Sequence, residues 1–263
     1  MPKPNTPQYG SWVSPRLIAM SAILTIIFGD ACVVLSLSAP NLPALILLLT
    51  LPAVFFAVCA VYFLYAKRLF SPGGRDIQNK VLDLLIGHIH WDGEGKALDI
   101  GCGSGALAVK LAKRYPHASI AGLDSWGAKW GYAQAQCEHN AALEGVDSRT
   151  IFVHGSADAL PFADDTFDLV VSNMTFHEVK ARKSKTGLLT EALRVLKPGG
   201  RFVLQDLFLL KRCFGTPEEL TAALKVAGAK EARFKATHTA PFIPKALKLP
   251  FMLGAMGVLW GEK

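Results

Sequence analysis

The sequence predicts a doubly wound α/β domain, an open and mostly parallel sheet covered by helices, preceded by a hairpin of two apolar helices. Three observations carry that expectation. Beyond Lys67, short apolar runs with strand character alternate with helical ones, the pattern of a parallel sheet. A glycine-rich turn, Gly101-Cys102-Gly103-Ser104-Gly105, joins the first such run to a helix. Ahead of all this, Leu17 to Ala66 contains Asp30 as its only charged side chain.

The N-terminal elements come first. Leu17–Ala39 and Leu42–Ala66 are two apolar stretches, each longer than the roughly 20 residues that cross a bilayer core. Pro40-Asn41-Leu42-Pro43 turns the chain between them. Lys3 and Arg16 precede the first stretch, Lys67, Arg68, Arg75 and Lys80 follow the second, and the turn is uncharged. The positive-inside rule therefore puts both ends, and the domain that follows, in the cytosol. A signal peptide is disfavoured by the second apolar run, and a soluble core hairpin by apolar residues all round each helix. A re-entrant hairpin kinked at Pro52 is the alternative to two full spans. Asp30 at mid-membrane costs about 2.5–3.5 kcal/mol, so it is expected neutral and bonded to a neighbouring helix or another subunit. This divides the chain into a tail (1–16), two transmembrane helices (17–66), a linker with the first helix of the next domain (67–95), and an α/β domain (96–263).

Composition agrees. Hydrophobic residues make up 51% and charged residues 19%, below the roughly 25% usual for a soluble domain. The formal net charge is +7, and the densest basic run is Lys180, Arg182, Lys183 and Lys185. That run reads as a solvated loop, or as a face toward anionic headgroups. Aromatic residues do not interleave with it, so a nucleic-acid partner is not expected. The cysteines, Cys32, Cys59, Cys102, Cys137 and Cys213, form no C-x-x-C pair, which excludes a zinc site and a disulfide framework and leaves no metal expected.

In the α/β domain, Asp76–His88 has helical spacing of Ile77, Val81, Leu84 and Leu85. Strands are expected at Lys96–Ile100, Ser119–Leu123 (ending at Asp124), Thr150–His154, Phe167–Ser172 and Arg201–Leu207. Helices follow at Leu107–Ala112, from about Lys129 to Leu143, and at Leu188–Leu196. Thr216 caps a helix over Pro217–Val226, with Glu219 completing a capping box. Met256–Gly261, apolar and bounded by glycine, reads as a final strand beside the fifth, with an interfacial segment as the alternative.

The glycine turn admits a nucleotide close to backbone, and Asp124 lies at the distance expected of a ribose-binding acid. Gly101, Gly103 and Ala106 also satisfy a loose dinucleotide fingerprint, so the turn alone names no cofactor. The wider pattern does. Leu98-Asp99-Ile100-Gly101-Cys102-Gly103-Ser104-Gly105 is followed by Ala157-Asp158-Ala159-Leu160-Pro161-Phe162, by Phe167-Asp168-Leu169-Val170-Val171-Ser172-Asn173, and by Leu193-Arg194-Val195-Leu196-Lys197-Pro198-Gly199-Gly200. In order and spacing these resemble the class I S-adenosylmethionine-dependent methyltransferases, in particular the small-molecule branch with ubiquinone/menaquinone and sterol methyltransferases. The resemblance covers about Lys96 to Phe208.

The resemblance implies a Rossmann-like, seven-stranded sheet and S-adenosylmethionine as cofactor. It implies that Asp99 and the backbone of Gly101, Cys102, Gly103 and Gly105 surround the amino-acid head. It further implies that Asp124 accepts from the ribose hydroxyls, that Ser125 or Trp126 lies along the adenine, and that Asp158 and the Ala159 amide reach the adenine edge. Asn173 would face the methyl group. After the fourth strand, Thr175, Phe176, His177 and Glu178 lie where substrate enters, with His177 and Glu178 as the catalytic candidates. A bonded, structural histidine is the other reading of His177, and alignment alone without a base is the other reading of the chemistry. Asp164 and Asp165 read as a turn. The acceptor is expected to be small and lipophilic, reached from the membrane, because Leu69 to Asp76 form too short a linker to carry the domain away. A membrane-bound cofactor-binding or regulatory protein without acceptor activity is the main rival, and a nicotinamide-dependent oxidoreductase the lesser one.

Overall fold

A computed structural model describes residues 5–127, 133–180 and 185–263. The chain forms two compact units, one of Ser11–Asn79 and one of Lys80–Lys263 together with the N-terminal segment through Gly10.

The first unit is a helical hairpin. Helix α1 (Pro15–Ser38) and helix α2 (Pro43–Phe70) each open with proline in the first turn, where a missing N–H costs nothing. At 1.5 Å per residue they span about 36 and about 42 Å. They pack through Phe28 stacked on Phe56 (ring centroids 6.0 Å apart) and Cys32 Sγ beside Thr50 Oγ1 at 3.1 Å. Their outer surfaces carry Ile26, Val34, Leu37, Leu48, Phe55 and Val61, all more than half exposed. Both are long and apolar enough to cross a membrane by length and composition. Asp30 lies exposed on α1.

Helix α3 (Ile77–Ile86) leads from this unit to the second. There β1 (Gly95–Ile100), α4 (Ala106–Arg114), β2 (Ala118–Asp124), α5 (Gln134–Leu143), β3 (Thr150–His154), β4 (Phe167–Asn173), α6 (Lys185–Arg194), β5 (Leu196–Asp206), a one-turn α7 (Lys211–Phe214), α8 (Pro217–Val226), β6 (Glu231–Ala236) and β7 (Gly257–Glu262) follow in order. Among the described residues the strands form one seven-stranded sheet ordered β3-β2-β1-β4-β5-β7-β6. The first five pair in parallel, while β7 runs antiparallel between β5 and β6. Successive crossovers run outward from β1 in one direction and from β4 in the other, so the order reverses between these two strands. Right-handed crossovers then place the flanking helices on both faces.

The sequence-expected strands appear with ends shifted by at most one residue, except β5, which begins at Leu196 rather than Arg201. Residues 128–132, where the helix expected from Lys129 would begin, lie outside the described residues, as do Lys3, Arg182 and Lys183. The capping box of α8 is present in both directions: Glu219 N donates to Thr216 Oγ1 at 3.2 Å, and Thr216 N to Glu219 Oε2 at 2.8 Å. A buried cluster of Leu98, Ile100, Val170, Phe202, Leu204 and Leu259 lines the central strands. Such continuous apolar burial is what a sheet covered on both faces demands.

Candidate functional site

The reversal of strand order opens a crevice at the carboxyl ends of β1 and β4. The glycine turn sits there. Gly101, Gly103 and Gly105 take φ of 75°, 57° and 81°, left-handed values that side chains resist. A Cβ on Gly101 would lie 2.1 Å from Thr175 Oγ1, so the turn after β1 touches the turn after β4. The Gly101 and Cys102 amides both donate to Leu123 O, at 2.7 and 3.0 Å.

Asp99 lies next to last in β1, fully buried. Its Oδ2 meets no hydrogen-bond donor, although the Ala108 amide helps the carboxylate. Burial, and then the charge of Asp124, push its pKa up to about 8. An orphaned buried acceptor beside a left-handed glycine cradle fits the amino-acid head of S-adenosylmethionine, whose ammonium would supply both the missing donors and the missing charge.

Asp124 ends β2 and already braces the loop. Its Oδ2 accepts from Gly103 N at 2.9 Å and its Oδ1 from Trp126 N at 2.8 Å. A carboxylate has about four acceptor positions, so two remain for ribose hydroxyls. The Trp126 indole donates to Gly103 O at 2.8 Å, and Cys137 Sγ lies 3.1 Å from the same carbonyl. Trp126 itself sits at a φ of 41°. Ser125 is exposed, its carbonyl 3.1 Å from His154 Nε2. Cys102 is buried beside Cys137, and that neighbour and burial hold its thiol pKa up, so it is unreactive here.

The motif after β3 is buttressed by helix α6. Glu191 Oε1 accepts from Leu160 N at 2.8 Å, and Arg194 donates to Leu160 O, Phe162 O and Asp164 Oδ1 at 3.1, 2.9 and 2.7 Å. Asp164, read as part of a turn, is therefore also an anchor for Arg194. Asp158 accepts from Ser156 Oγ, and the Ala159 amide donates to Ser156 O at 3.2 Å, closing the turn on itself.

Asn173 ends β4, its Oδ1 held by Gln205 Nε2 at 2.9 Å. Beyond it, Met174 adopts a φ of 54° and re-aims the chain. His177 follows. Its Nδ1 lies 2.7 Å from Asp206 Oδ1, and its backbone N donates to Asp206 Oδ2 at 3.3 Å. Its Nε2 is 3.7 Å from Glu178 Oε1. Burial alone would lower the His177 pKa and Lys185 opposes a proton too, but the Asp206 bond and charge and the Glu178 charge prevail, and the net shift is upward. Lys185 donates to the carbonyls of Phe176, His177 and Val179, so its ammonium turns inward onto this loop rather than outward with a basic face.

The sequence reading therefore named His177 and Glu178 but missed Asp206, the fully buried residue that orients His177. The signal was present: Asp206 ends an apolar strand, as Asp124 does. Gln205, which fixes Asn173, was missed as well. Among the described residues, no group of three His, Cys, Asp or Glu side chains could hold a metal ion.

Comparison with known proteins places this geometry. Residues 98–204 match the family model of the methyltransferase domain. The ubiquinone/menaquinone biosynthesis C-methyltransferase UbiE of Desulfotalea psychrophila is 27% identical over 227 residues, 73% of this chain and 86% of that one. The sterol 24-C-methyltransferase erg6 of Schizosaccharomyces pombe is 33% identical over 108 residues, 41% of this chain and 26% of that one. For several curated relatives, the match spans about half their length. Among solved structures, geranyl diphosphate C-methyltransferase from Streptomyces coelicolor A3(2), in complex with Mg2+, geranyl diphosphate and S-adenosyl-L-homocysteine, shares the fold at a TM-score of 0.55 and 14% identity, covering 71% of this chain and 81% of that one. Motifs, sheet order, glycine cradle and family match agree: residues 98–204 match a methyltransferase domain, with S-adenosylmethionine as the cofactor.

Proposed function

We propose that the whole chain is a membrane-anchored enzyme that methylates a small lipophilic acceptor resident in the bilayer, with His177 as general base. The observation that carries the catalytic part is the 2.7 Å contact of His177 Nδ1 with Asp206, beside the glycine cradle. A carboxylate on Nδ1 fixes the tautomer with the proton on that nitrogen and leaves Nε2 to take a proton from an acceptor. When bound, S-adenosylmethionine supplies an electrophilic methyl on a sulfonium.

The chain's own residues do the rest. Asp99 and the loop Gly101, Cys102, Gly103 and Gly105 hold the amino-acid head. Asp124 would take the ribose, Ser125 or Trp126 would lie along the adenine, and Asp158 and the Ala159 amide would reach its edge. Asn173, fixed by Gln205, borders the methyl, and Glu178 supports the imidazolium that His177 becomes. His177 Nε2 would take the proton that the acceptor gives up, with Asp206 holding the proton on Nδ1.

The anchor is the two apolar helices, read as transmembrane spans over residues 17–66 with a short tail (1–16) before them and the linker and methyltransferase regions (67–95 and 96–263) on the cytosolic side. Lys67 and Arg68 in the last turn of α2 support that orientation. So does the path of the chain, whose segment through Gly10 belongs to the same compact unit as Lys80–Lys263. Relatives named for ubiquinone/menaquinone and for sterols support a lipophilic acceptor.

The test incubates the full-length protein in liposomes made from membrane lipid extract with a deuterated-methyl cofactor. A mass increase of one deuterated methyl on a lipid-fraction compound, lost with His177→Ala, is expected. Transfer at equal rate to a freely water-soluble acceptor, with or without liposomes, overturns the membrane reading.

A further inference from the structure

Three left-handed glycines make a loop that loses much entropy when it is ordered around a ligand. A protein that holds such a loop in advance binds more tightly. Asp124, Trp126 and Cys137 hold it from the crevice side. A second set of bonds holds it from behind. Asn140 of α5 is fully buried. Its Nδ2 donates to Ser104 O and to Gln8 O, both at 2.9 Å, and its Oδ1 accepts from Gln8 N at 2.7 Å. Ser104 Oγ donates to Tyr9 O at 2.8 Å, and Gln136 Nε2 also donates to Gln8 O. Tyr9 Oη lies 3.2 Å from Glu144 Oε1, which in turn pairs with Lys113.

From this we infer that the stretch Gln8–Tyr9, ahead of the first apolar helix, is a positioning strap of the cofactor site. It clasps Ser104 of the glycine loop through Asn140. The Asn140 amide is a junction with both its protons and its oxygen engaged, so removing the strap leaves buried donors and an acceptor unmet. The strap uses its main chain for every bond except that of the Tyr9 hydroxyl. Side-chain identity at position 8 is therefore unimportant to the clasp, whereas the N–H at position 8 is essential. In sequence, residues 11–14 connect the strap to α1.

This goes beyond the proposed acceptor chemistry, and its test does not use methyl transfer as the primary readout. Full-length protein in detergent is titrated with S-adenosylhomocysteine by calorimetry, and amide exchange is followed at Gly103–Leu107 without ligand. Deletion of residues 2–9 and the variant Gln8→Pro should each weaken binding at least tenfold and speed exchange in that loop. Gln8→Ala should stay within twofold of the parent, and the acceptor KM should not move in any variant. Parent-like affinity and exchange in the deletion overturn the inference. So does Gln8→Ala behaving like Gln8→Pro, which would place the contact in the side chain. If the parent fails to bind the probe, the cofactor assignment falls, while the exchange comparison still decides the strap.

Discussion

The two halves of the crevice are built differently. The half at β1 and β2 is made of backbone and short carboxylates: Gly103 N on Asp124, two amides on Leu123 O, and a buried Asp99 awaiting a cation. The half at β4 and β5 is a side-chain pair, His177 on Asp206, brought together across 29 positions of sequence. A backbone site suits a constant ligand, because its donors are fixed by the fold. A side-chain site suits a variable one, because single substitutions retune it. The contrast teaches that binding of the cofactor and transfer from it should fail separately.

The sharpest way to break that separation is His177→Ala. Loss of a general base should lower kcat by about 10²–10⁴-fold while leaving cofactor affinity within about twofold. Parallel loss of both in turnover and calorimetric assays would end it. Asp124→Ala should do the reverse, weakening S-adenosylmethionine by at least about tenfold through the loss of charge-assisted bonds worth about 1.5–3 kcal/mol each. Unchanged affinity removes Asp124 from the site.

Asp206→Asn sharpens the acceptor side. His177 has its pKa raised above 6.5 against burial by Asp206 and Glu178. The base must be unprotonated, so the rate rises as pH climbs through this pKa. Without the Asp206 charge the pKa falls, and the acid limb of the pH–rate profile should move to lower pH while the plateau drops. An unmoved limb excludes His177 as the titrating base.

Asp99 sharpens the cofactor side. Held up to about 8, it carries a proton at pH 7 in the free protein and loses it to the cofactor's ammonium field. Binding at pH 7 should release up to about one proton, seen by calorimetry in buffers of different ionisation enthalpy and abolished in Asp99→Asn. The smallest effect is a control outside both halves. Thr216→Ala removes the cap of α8 and should cost about 1 kcal/mol in stability, with kcat and affinity unchanged.

The same division explains what was legible in the sequence. Asp99, the glycines and Asp124 lie within a continuous strand–turn–helix–strand stretch, so their order announces them. Asp206 pairs with His177 only through the parallel register of β4 and β5, which no local pattern states. Asn140 and Gln8 are joined across 132 positions and were invisible for that reason. Strand β5 was expected from Arg201 but begins at Leu196, where the helix was expected to end. The C-terminal Lys263 pairs with it instead: Gly199 N donates to Lys263 O at 2.7 Å and Lys263 N to Gly200 O at 3.0 Å. Strand β6 was not located, though Glu231-Ala232-Arg233-Phe234-Lys235-Ala236 alternates strictly. It is an edge strand, and its charges are what keep an edge from pairing with another chain.

The contact of Gly101 with Thr175 has a consequence for how such a site can change over generations. Any side chain at 101 would collide with Thr175 Oγ1, Cγ2 and Cβ within 2.6 Å, on a backbone already left-handed. A lineage that enlarges residue 101 must first shrink residue 175, and the reverse order passes through a broken protein. The history of the turn after β4 therefore sets which steps are open to the glycine turn after β1.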